Sequence, residues 1–227
     1  MPDAVMLFAA GRGTRMAPLT DHMPKPLVRV AGRPLLDHAL DLVAAAKLPR
    51  CVVNTHYRAA QIATHLATRP EIRISPEPEE RLETGGGLRA ALPLLGPGPV
   101  FTLNSDAVWS DPGALSQLRA AWDPSRMDAL LLLIPAERTH GHAGTGDFTC
   151  ANDGRLTRGG PLTYTGAQII APDGLAEIPD RVFSLNTLWD RMAMQGRLCG
   201  LVYSGHWADV GTPEGIAIAE TMLATHR

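Results

Sequence analysis

The stretch LFAAGRGTRMAPLTDHMPKPL, residues 7–27, decides the fold and indicates the chemistry of this 227-residue chain. It begins at the end of a short apolar run, residues 4–8, which is typical of a buried parallel strand that opens into a glycine loop. Glycines in such a loop let backbone N–H groups approach an anion, because no Cβ stands in the way. Arg15 adds a planar guanidinium fork, and Lys25 adds a compact charge between two stiffening prolines. The stretch therefore predicts a triphosphate site.

This loop differs from the two best-known phosphate-binding motifs. The sequence has no G-x-x-x-x-G-K-[ST], and its G-x-G at Gly11 and Gly13 lacks a third glycine, because Met16 stands in that place. No suitable ribose-binding acid follows the next predicted strand. Both features count against a nicotinamide-dependent dehydrogenase, which is the weakest of the alternatives.

The composition excludes several classes of protein. The formal net charge of −2 argues against a nucleic-acid surface. No apolar run approaches the roughly 18 residues of a membrane span, and the amino terminus lacks the basic region of an export signal. The cysteines, at 51, 150 and 199, are far apart in apolar runs and are expected to be buried free thiols in a reducing compartment. We therefore expect a cytoplasmic protein without nucleic-acid or membrane partners, zinc or disulfides. Its oligomeric state is not indicated.

Strand patterns alternate with helical patterns along the chain, as in right-handed βαβ units. The strand patterns, including two shorter pieces, lie at residues 4–8, 51–54, 72–74, 100–103, 129–134, 146–150, 164–171 and 198–203. The helical patterns lie at residues 35–46, 60–66, 86–94, 113–121, 185–195 and 213–224. Residues 129–134 are the most continuously apolar and are expected in the middle of a sheet. Without a repeat or a linker, residues 1–227 are predicted to form one mixed α/β domain.

Three segments near the ends of predicted elements carry acids, amides or glycines. They are Asn104-Ser105-Asp106, the sequence WADVGT at 207–212, and the sequence ETGGG at 83–87. Each has an ordinary structural interpretation: Asp106 could cap a turn, Asp209 could bond local amides in a turn, and Thr84 could cap a helix. Ligands in α/β sheets nevertheless bind beyond the carboxyl ends of the strands. These segments are therefore also candidates for a binding site.

Together these motifs resemble those of the sugar-phosphate nucleotidyltransferases, or nucleoside-diphosphate-sugar pyrophosphorylases. The family hallmark is L-A-A-G-x-G-[ST]-R-[ML]-x-P-L-T, followed by P-K-P-[LM]. Residues 9–20 and 24–27 match it, whereas Phe8 departs from it. The resemblance implies a single three-layer α/β/α domain with a mixed, mostly parallel Rossmann-like sheet.

The resemblance also implies roles for individual residues. Lys25 and Arg15 would be catalytic, and Asp106 and Asp209 would hold Mg²⁺, the expected cofactor, which prefers oxygen ligands. The implied nucleotide-binding residues are Ala10, Gly11, Arg12, Gly13, Lys25, Glu79 and Gly85. The implied sugar-phosphate-binding residues are Asn104, Asp147 and Gly166.

The segment LETGGG, residues 82–87, resembles a subgroup of the family that joins UTP to N-acetylmuramate 1-phosphate. Other matches to this subgroup lie at residues 53–54, 75–77, 146–148, 164–166 and 206–207. The resemblance implies that a sugar 1-phosphate attacks the α-phosphorus of a nucleoside triphosphate and releases pyrophosphate, in peptidoglycan sugar recycling. The expected partners are therefore a nucleoside triphosphate and a sugar 1-phosphate.

Two alternatives to this interpretation stay open. The acceptor could be glucose, mannose or N-acetylglucosamine 1-phosphate, phosphocholine or a molybdopterin, since the first motif does not separate these substrates. The chain could also be a silent nucleotide-sugar-binding module that regulates a partner, although the joint presence of Lys25, Asp106 and Asp209 counts against it. His140 and His142 are interpreted as exposed loop residues, because nothing in the sequence places a third metal ligand near them.

Overall fold

Strands and helices alternate through the 226 residues, 1–226, that the computed structural model of this chain describes. The strands are β1 (Ala4–Phe8), β2 (Arg29–Val30), β3 (Arg33–Pro34), β4 (Arg50–Thr55), β5 (Ile72–Pro76), β6 (Val100–Asn104), β7 (Ala107–Trp109), β8 (Ala129–Pro135), β9 (Thr139–His140), β10 (Phe148–Cys150), β11 (Leu156–Arg158), β12 (Leu162–Ile170), β13 (Leu198–Val202) and β14 (Trp207–Asp209). The helices are α1 (Leu35–Ala45), α2 (Ala59–Leu66), α3 (Glu83–Leu95), α4 (Ala114–Ala121), α5 (Asn186–Met194) and α6 (Pro213–His226). Within residues 1–226, each α-helix is too short or too polar to cross a bilayer.

The central sheet contains nine strands. Its main run is β13-β8-β12-β6-β1-β4-β5, and β10 and β11 extend the sheet beside the first part of β12. Only β12 and β11 run against the direction of the other strands, which confirms the mixed, mostly parallel sheet. Strand β8 pairs on both sides and its residues 129–134 are buried, as the sequence predicts for an interior strand.

Helices cover both faces of this sheet. Val5 and Leu7 of β1 join a core with α1, α2 and α4, whereas Ala4 and Met6 join a second core with α3 and α5. Successive side chains of a strand point to opposite faces, so a strand covered on both sides reads as one continuous apolar run. The three-layer α/β/α architecture is confirmed.

A separate three-stranded sheet, β7-β14-β9, lies outside the central sheet. Its strands are only two or three residues long, so the sequence carries too little periodicity to predict them. Helix α6 packs here through Met222, in a buried cluster with Met16, Val108 and Val210. This third core therefore joins the loop after β1 to the strand that ends at Asp209.

Helix α3 begins at Glu83, three residues before the predicted start, and contains the three consecutive glycines. Thr84, which the sequence predicts as a helix cap, lies inside the helix, and its hydroxyl accepts a 2.9 Å hydrogen bond from the N–H of Leu185. A Cβ on Gly85 would collide with the Phe183 ring. The glycines therefore let the chain before α5 pack directly on α3.

Candidate active site

A cleft opens at the carboxyl ends of β1 and β6, where ligands bind in sheets of this kind. Residues of the loop after β1, of α3 and of the segment after β6 surround it. Its lining is Phe8, Ala9, Ala10, Gly11, Lys25, Pro26, Asn54, Arg81, Glu83, Thr84, Asn104, Ser105 and Asp106. We call it the nucleotide cleft, because it brings together the predicted nucleotide-binding residues Ala10, Gly11 and Lys25.

The loop after β1 is folded tightly around Gly13. This residue has a φ of +68°, and a Cβ on it would lie 2.8 Å from the Cβ of Lys25. The hydroxyl of Thr20 donates a 2.8 Å hydrogen bond to the carbonyl of Gly13 and fixes the turn. Gly11 faces open space, with nothing within 4 Å of its would-be Cβ. Gly13 therefore shapes the loop behind the cleft, while Gly11 leaves room for a close backbone approach.

Lys25 is the central charge of the nucleotide cleft. Its side chain is almost fully buried, and its Nζ lies 2.8 Å from Oδ2 of Asp106. Strand β6 ends at Asn104, and Asp106 lies two residues later. The hydroxyl of Ser105, between them, donates a 2.6 Å hydrogen bond to the carbonyl of Phe8. Ser105 thus bonds the end of β6 to β1, and the lysine and aspartate meet at the edge of the sheet.

Asp209 is held next to Asp106 by backbone pairing. Asp209 ends β14, where it lies opposite Ala107 of β7, so the sequence interpretation of this segment as a turn is corrected. The N–H of Val210 donates a 3.0 Å hydrogen bond to the carbonyl of Asp106. Short strands therefore place two aspartates side by side that are about a hundred residues apart in the sequence.

The electrostatics of Asp209 reflect that neighbourhood. Burial raises the pKa of its carboxyl above the usual value, and the charge of Asp106 raises it further, while Lys25, Arg15 and His142 act in the opposite direction. Two partly buried carboxylates repel each other, and a divalent cation bound between their oxygens would offset that repulsion. Asp106 and Asp209 therefore have the chemistry of a Mg²⁺ site.

Arg15 approaches Asp209 from the loop after β1. A Cβ on Gly211 would lie 3.1 Å from Nη2 of Arg15 and 3.2 Å from Oδ2 of Asp209. Gly211 thus leaves the space through which the guanidinium reaches the carboxylate side of the site. The structure brings together Arg15, Lys25, Asp106 and Asp209, although their roles remain predictions.

A second cleft adjoins the first. Its lining is Phe8, Thr84, Asn104, Asp147, Phe148, Arg158, Tyr164, Gln168, Ser184, Leu185, Asn186 and Trp189. Phe8, Thr84 and Asn104 belong to both clefts, so the two are continuous. We call the second the acceptor cleft, because it contains Asn104 and Asp147, two of the predicted sugar-phosphate residues.

Gly166 and Asp147 shape the acceptor cleft in different ways. Gly166 has a φ of +86°, and a Cβ on it would lie 2.8 Å from the side chain of Asn104, so only glycine fits beside that amide. One carboxylate oxygen of Asp147 accepts a 2.8 Å hydrogen bond from the N–H of Tyr164. Asp147 therefore supports the backbone of β12, and its sugar contact stays a prediction.

Residues 5–167 match the MobA-like NTP transferase domain. The chain belongs to this family. The transferase is 45% identical to the N-acetylmuramate alpha-1-phosphate uridylyltransferase of Caulobacter vibrioides, over 98% of each chain. It is 35% identical to the protein of the same name from Neisseria meningitidis serogroup B, over 91% of this chain and 92% of the relative.

Solved structures of two distant proteins share the fold of the transferase. HddC from Yersinia pseudotuberculosis superposes with a TM-score of 0.78 at 19% identity, over 96% of this chain and 98% of that one. The inositol-1-phosphate CTP transferase from T. maritima gives a TM-score of 0.79 at 13% identity, over 97% and 96%. At such identities the likeness concerns the fold alone, and it confirms the predicted fold class.

A buried polar chain supports the floor of the nucleotide cleft in this transferase. The N–H of Ala9 donates a 2.7 Å hydrogen bond to Oδ1 of Asn54, whose Nδ2 donates a 2.7 Å bond to Oε1 of Glu77. The other oxygen of Glu77 accepts a 2.8 Å bond from the N–H of Leu82. This series of hydrogen bonds thus fixes the loop after β1 to the start of α3. Sequence reasoning noted Asn54 and Glu77 only as motif matches and missed this positioning role.

Besides Gly13, which lies behind the cleft, three predicted nucleotide contacts of the transferase lie outside the cleft lining. Arg12 is exposed, with its guanidinium carbon 5.5 Å from the centre of the Tyr57 ring. Glu79 pairs with Arg181 at 2.6 Å, and Gly85 is buried within α3. Contact of Arg12, Glu79 and Gly85 with a nucleotide therefore stays a prediction.

The two histidines interpreted as loop residues have different surroundings. His142 does lie in a loop, but its Nδ1 is 3.6 Å from Oδ2 of Asp209. His140 lies in β9, and His206 and His226 stand beside it. The expectation that no third ligand is near is therefore wrong, because strand pairing and α6 bring together histidines that are far apart in the sequence.

Proposed function

We propose that this transferase joins UTP to N-acetylmuramate 1-phosphate and releases pyrophosphate, as a step in peptidoglycan sugar recycling. The observation that carries the proposal is the meeting of Lys25, Asp106 and Asp209 beside the open glycine loop. The names of the two relatives, at 45% and 35% identity, support uracil as the base and muramate as the acceptor sugar.

In the proposed reaction no protein nucleophile is required. The acceptor phosphate is ionised at neutral pH, so the obstacle is to bring two anions together and to stabilise charge at the α-phosphoryl group. Lys25, which lines the nucleotide cleft, would neutralise part of this charge. Arg15 and the backbone amides near Gly11 would hold the leaving pyrophosphate.

The proposal includes Mg²⁺ as the ligand of the carboxylate pair. Asp106 and Asp209 would hold it, and when bound it supplies positive charge that polarises phosphoryl oxygens. Because Lys25 already pairs with Asp106 at 2.8 Å, the lysine also keeps that carboxylate oriented toward the cleft. His142, beside Asp209, is placed to steady the second carboxylate.

The acceptor cleft offers a reason for choosing muramate. N-acetylmuramate differs from N-acetylglucosamine by a lactyl group, whose carboxylate requires a cationic partner. Arg158 lines the cleft, stacked 5.0 Å over the Phe148 ring, and its Nε and Nη2 donate to Asp190 at 3.1 and 2.8 Å. Among the described residues, its Nη1 has no hydrogen-bond acceptor. We therefore assign the lactyl carboxylate to Arg158, which the sequence did not indicate.

We also propose that the reaction takes place in the cytoplasm. Cys51, Cys150 and Cys199 are free thiols; Cys51 and Cys199 are buried as predicted, whereas Cys150 is only partly buried. Burial raises the pKa of the Cys51 thiol to about 12, so it is an unreactive core residue. Such thiols suit a reducing compartment, where UTP is also available.

The test is pyrophosphate release from UTP and Mg²⁺ with N-acetylmuramate, N-acetylglucosamine or glucose 1-phosphate as the acceptor. We expect the muramate acceptor to give the highest kcat/KM, and UTP to exceed the other nucleoside triphosphates. A preference for a neutral sugar phosphate would overturn the acceptor assignment. Absence of release with every pair, including phosphocholine, would favour a silent nucleotide-sugar-binding module.

A further inference from the structure

Three histidines form a cluster outside both clefts. His140 ends β9, His206 immediately precedes β14, and His226 is the last residue of α6. His140 and His206 are partly buried, whereas His226 is exposed. The cluster therefore joins two strands of the small sheet to the carboxyl end of the helix that covers it.

The ring nitrogens are close enough to share one ion. One nitrogen from each histidine lies within 4.8 Å of the others, and Nε2 of His140 is 3.1 Å from Nδ1 of His206. Zinc–nitrogen bonds of about 2.0–2.1 Å in a tetrahedral site place neighbouring nitrogens about 3.3 Å apart. His140 and His206 already have that spacing. The exposed His226 is stacked on His206 with ring centres 3.6 Å apart, so a rotation of its side chain could supply the third nitrogen.

The chemistry of the cluster selects the class of metal. Imidazole suits Zn²⁺ and similar transition metals, whereas Mg²⁺ prefers the oxygen ligands offered by the carboxylate pair. Burial lowers the pKa of His140 and of His206, and the neighbouring His226 lowers both further. Neutral imidazole is the form that binds a metal.

We propose that His140, His206 and His226 bind one Zn²⁺-class ion, with water as the fourth ligand, and thereby fasten α6 to the small sheet. The site is separate from the proposed Mg²⁺ site and departs from the expectation that zinc has no place in this chain. Because β14 carries Asp209 three residues after His206, the bound ion would also brace the strand that supports the active site.

The test measures metal binding by the full chain after treatment with a chelator and in the presence of Mg²⁺. We expect one Zn²⁺ per chain by equilibrium dialysis, and with Co²⁺ the absorption spectrum of a tetrahedral nitrogen site. His140→Ala and His226→Ala should each weaken binding by about 100-fold or more, since even the loss of an outer-shell partner costs about 10–100-fold. His22→Ala, at an exposed histidine outside the cluster, is the matched control and should bind like the wild type.

Thermal unfolding gives an independent measurement. Zn²⁺ should raise the Tm of the wild type and of His22→Ala, but not that of His226→Ala, whose exposed side chain at the helix end is dispensable for folding. Equal zinc binding by the wild type and both cluster variants would place the ion elsewhere and overturn the proposal. Absence of zinc binding to the wild type would overturn it as well.

Discussion

Lys25 offers the most direct test at the scale of single residues. Lys25→Ala should lower kcat by about 100-fold or more, because it removes a positioned charge from the site where two anions meet. Its charge is also paired with Asp106 at 2.8 Å, so KM for the nucleotide should change less than kcat. Initial rates of pyrophosphate release measure both quantities. Arg73→Ala, at an exposed cation on the edge strand β5, is the control, and an unchanged kcat in Lys25→Ala would refute the assigned role.

The raised pKa of Asp209 should make the stability of the protein depend on pH. Because its pKa is raised in the folded state, folding favours the protonated acid, and stability is lost as pH rises through that raised pKa. Without Mg²⁺, Asp209→Asn should therefore have a higher Tm than the wild type at pH 7. The difference should vanish near pH 3, where the acid is protonated in both states.

Thermal unfolding of both proteins across this pH range measures the effect. Asp173→Asn, at an exposed aspartate, should match the wild type throughout. Addition of Mg²⁺ should raise the Tm of the wild type and leave that of Asp209→Asn unchanged. An Asp209→Asn protein that is no more stable than the wild type at pH 7 would contradict the account of this carboxylate.

Arg158 should determine how the enzyme chooses between acceptors. Arg158→Ala should lower kcat/KM for N-acetylmuramate 1-phosphate by about 10- to 100-fold, since a charge-assisted hydrogen bond contributes about 1.5–3 kcal/mol. The value for N-acetylglucosamine 1-phosphate should change little. Arg155→Ala, at an exposed arginine near the same strand, is the control. An equal loss with both acceptors would mean that Arg158 only shapes the cleft.

At the scale of elements, the contact between α3 and the chain before α5 depends on glycine. A Cβ on Gly86 would collide with the carbonyl of Arg181, which cannot move without shifting the backbone. We expect Gly86→Ala to lower the free energy of unfolding by about 1–3 kcal/mol, in spite of the higher helix propensity of alanine. Denaturant unfolding measures the change. Ala90→Ser, on the exposed side of the same helix, should change it by less than about 0.5 kcal/mol.

The same elements show what the sequence could predict. Strand β1 has the predicted bounds, and α1 ends one residue before its predicted end, because long periodic runs determine their own structure. The start of α3 was placed too late, since glycines indicate loops unless tertiary contacts compensate for their low helix propensity. Strands β7, β9 and β14 were missed because pairing with distant residues, and not local pattern, defines them.

At the scale of the whole molecule, α6 supports the active site from behind. Met222 is buried against Met16 and Val210, the neighbours of Arg15 and Asp209 in the sequence. Met222→Ala should lower the free energy of unfolding by about 2–5 kcal/mol, the usual effect of removing a buried side chain of this size. It should also lower kcat, since small displacements of catalytic groups are costly. Ile218→Ala, at an exposed position of the same helix, should change both much less, and equal effects would refute this support.

The assembled site shows where sequence reasoning ends. Lys25 and Asp106 are 81 residues apart, and their roles were expected only because each lies in a motif that the family shares. Arg158 and His142 lie outside such motifs, and the folding of the whole chain places them beside Asp147 and Asp209. The composition of a motif can indicate chemistry, but it cannot indicate which distant side chains will complete the site.

The two clefts take most of their lining from different parts of the sequence, and this division has an evolutionary consequence. The nucleotide cleft is built from the chain up to Asp106, whereas the acceptor cleft takes most of its lining from residues 147–189. Mutations at the cleft-lining positions of the later segment can therefore change the acceptor site while Lys25, Asp106 and Asp209 stay unchanged. A lineage can exchange one acceptor for another while it keeps its donor, and a laboratory library confined to residues 147–189 should reproduce that divergence.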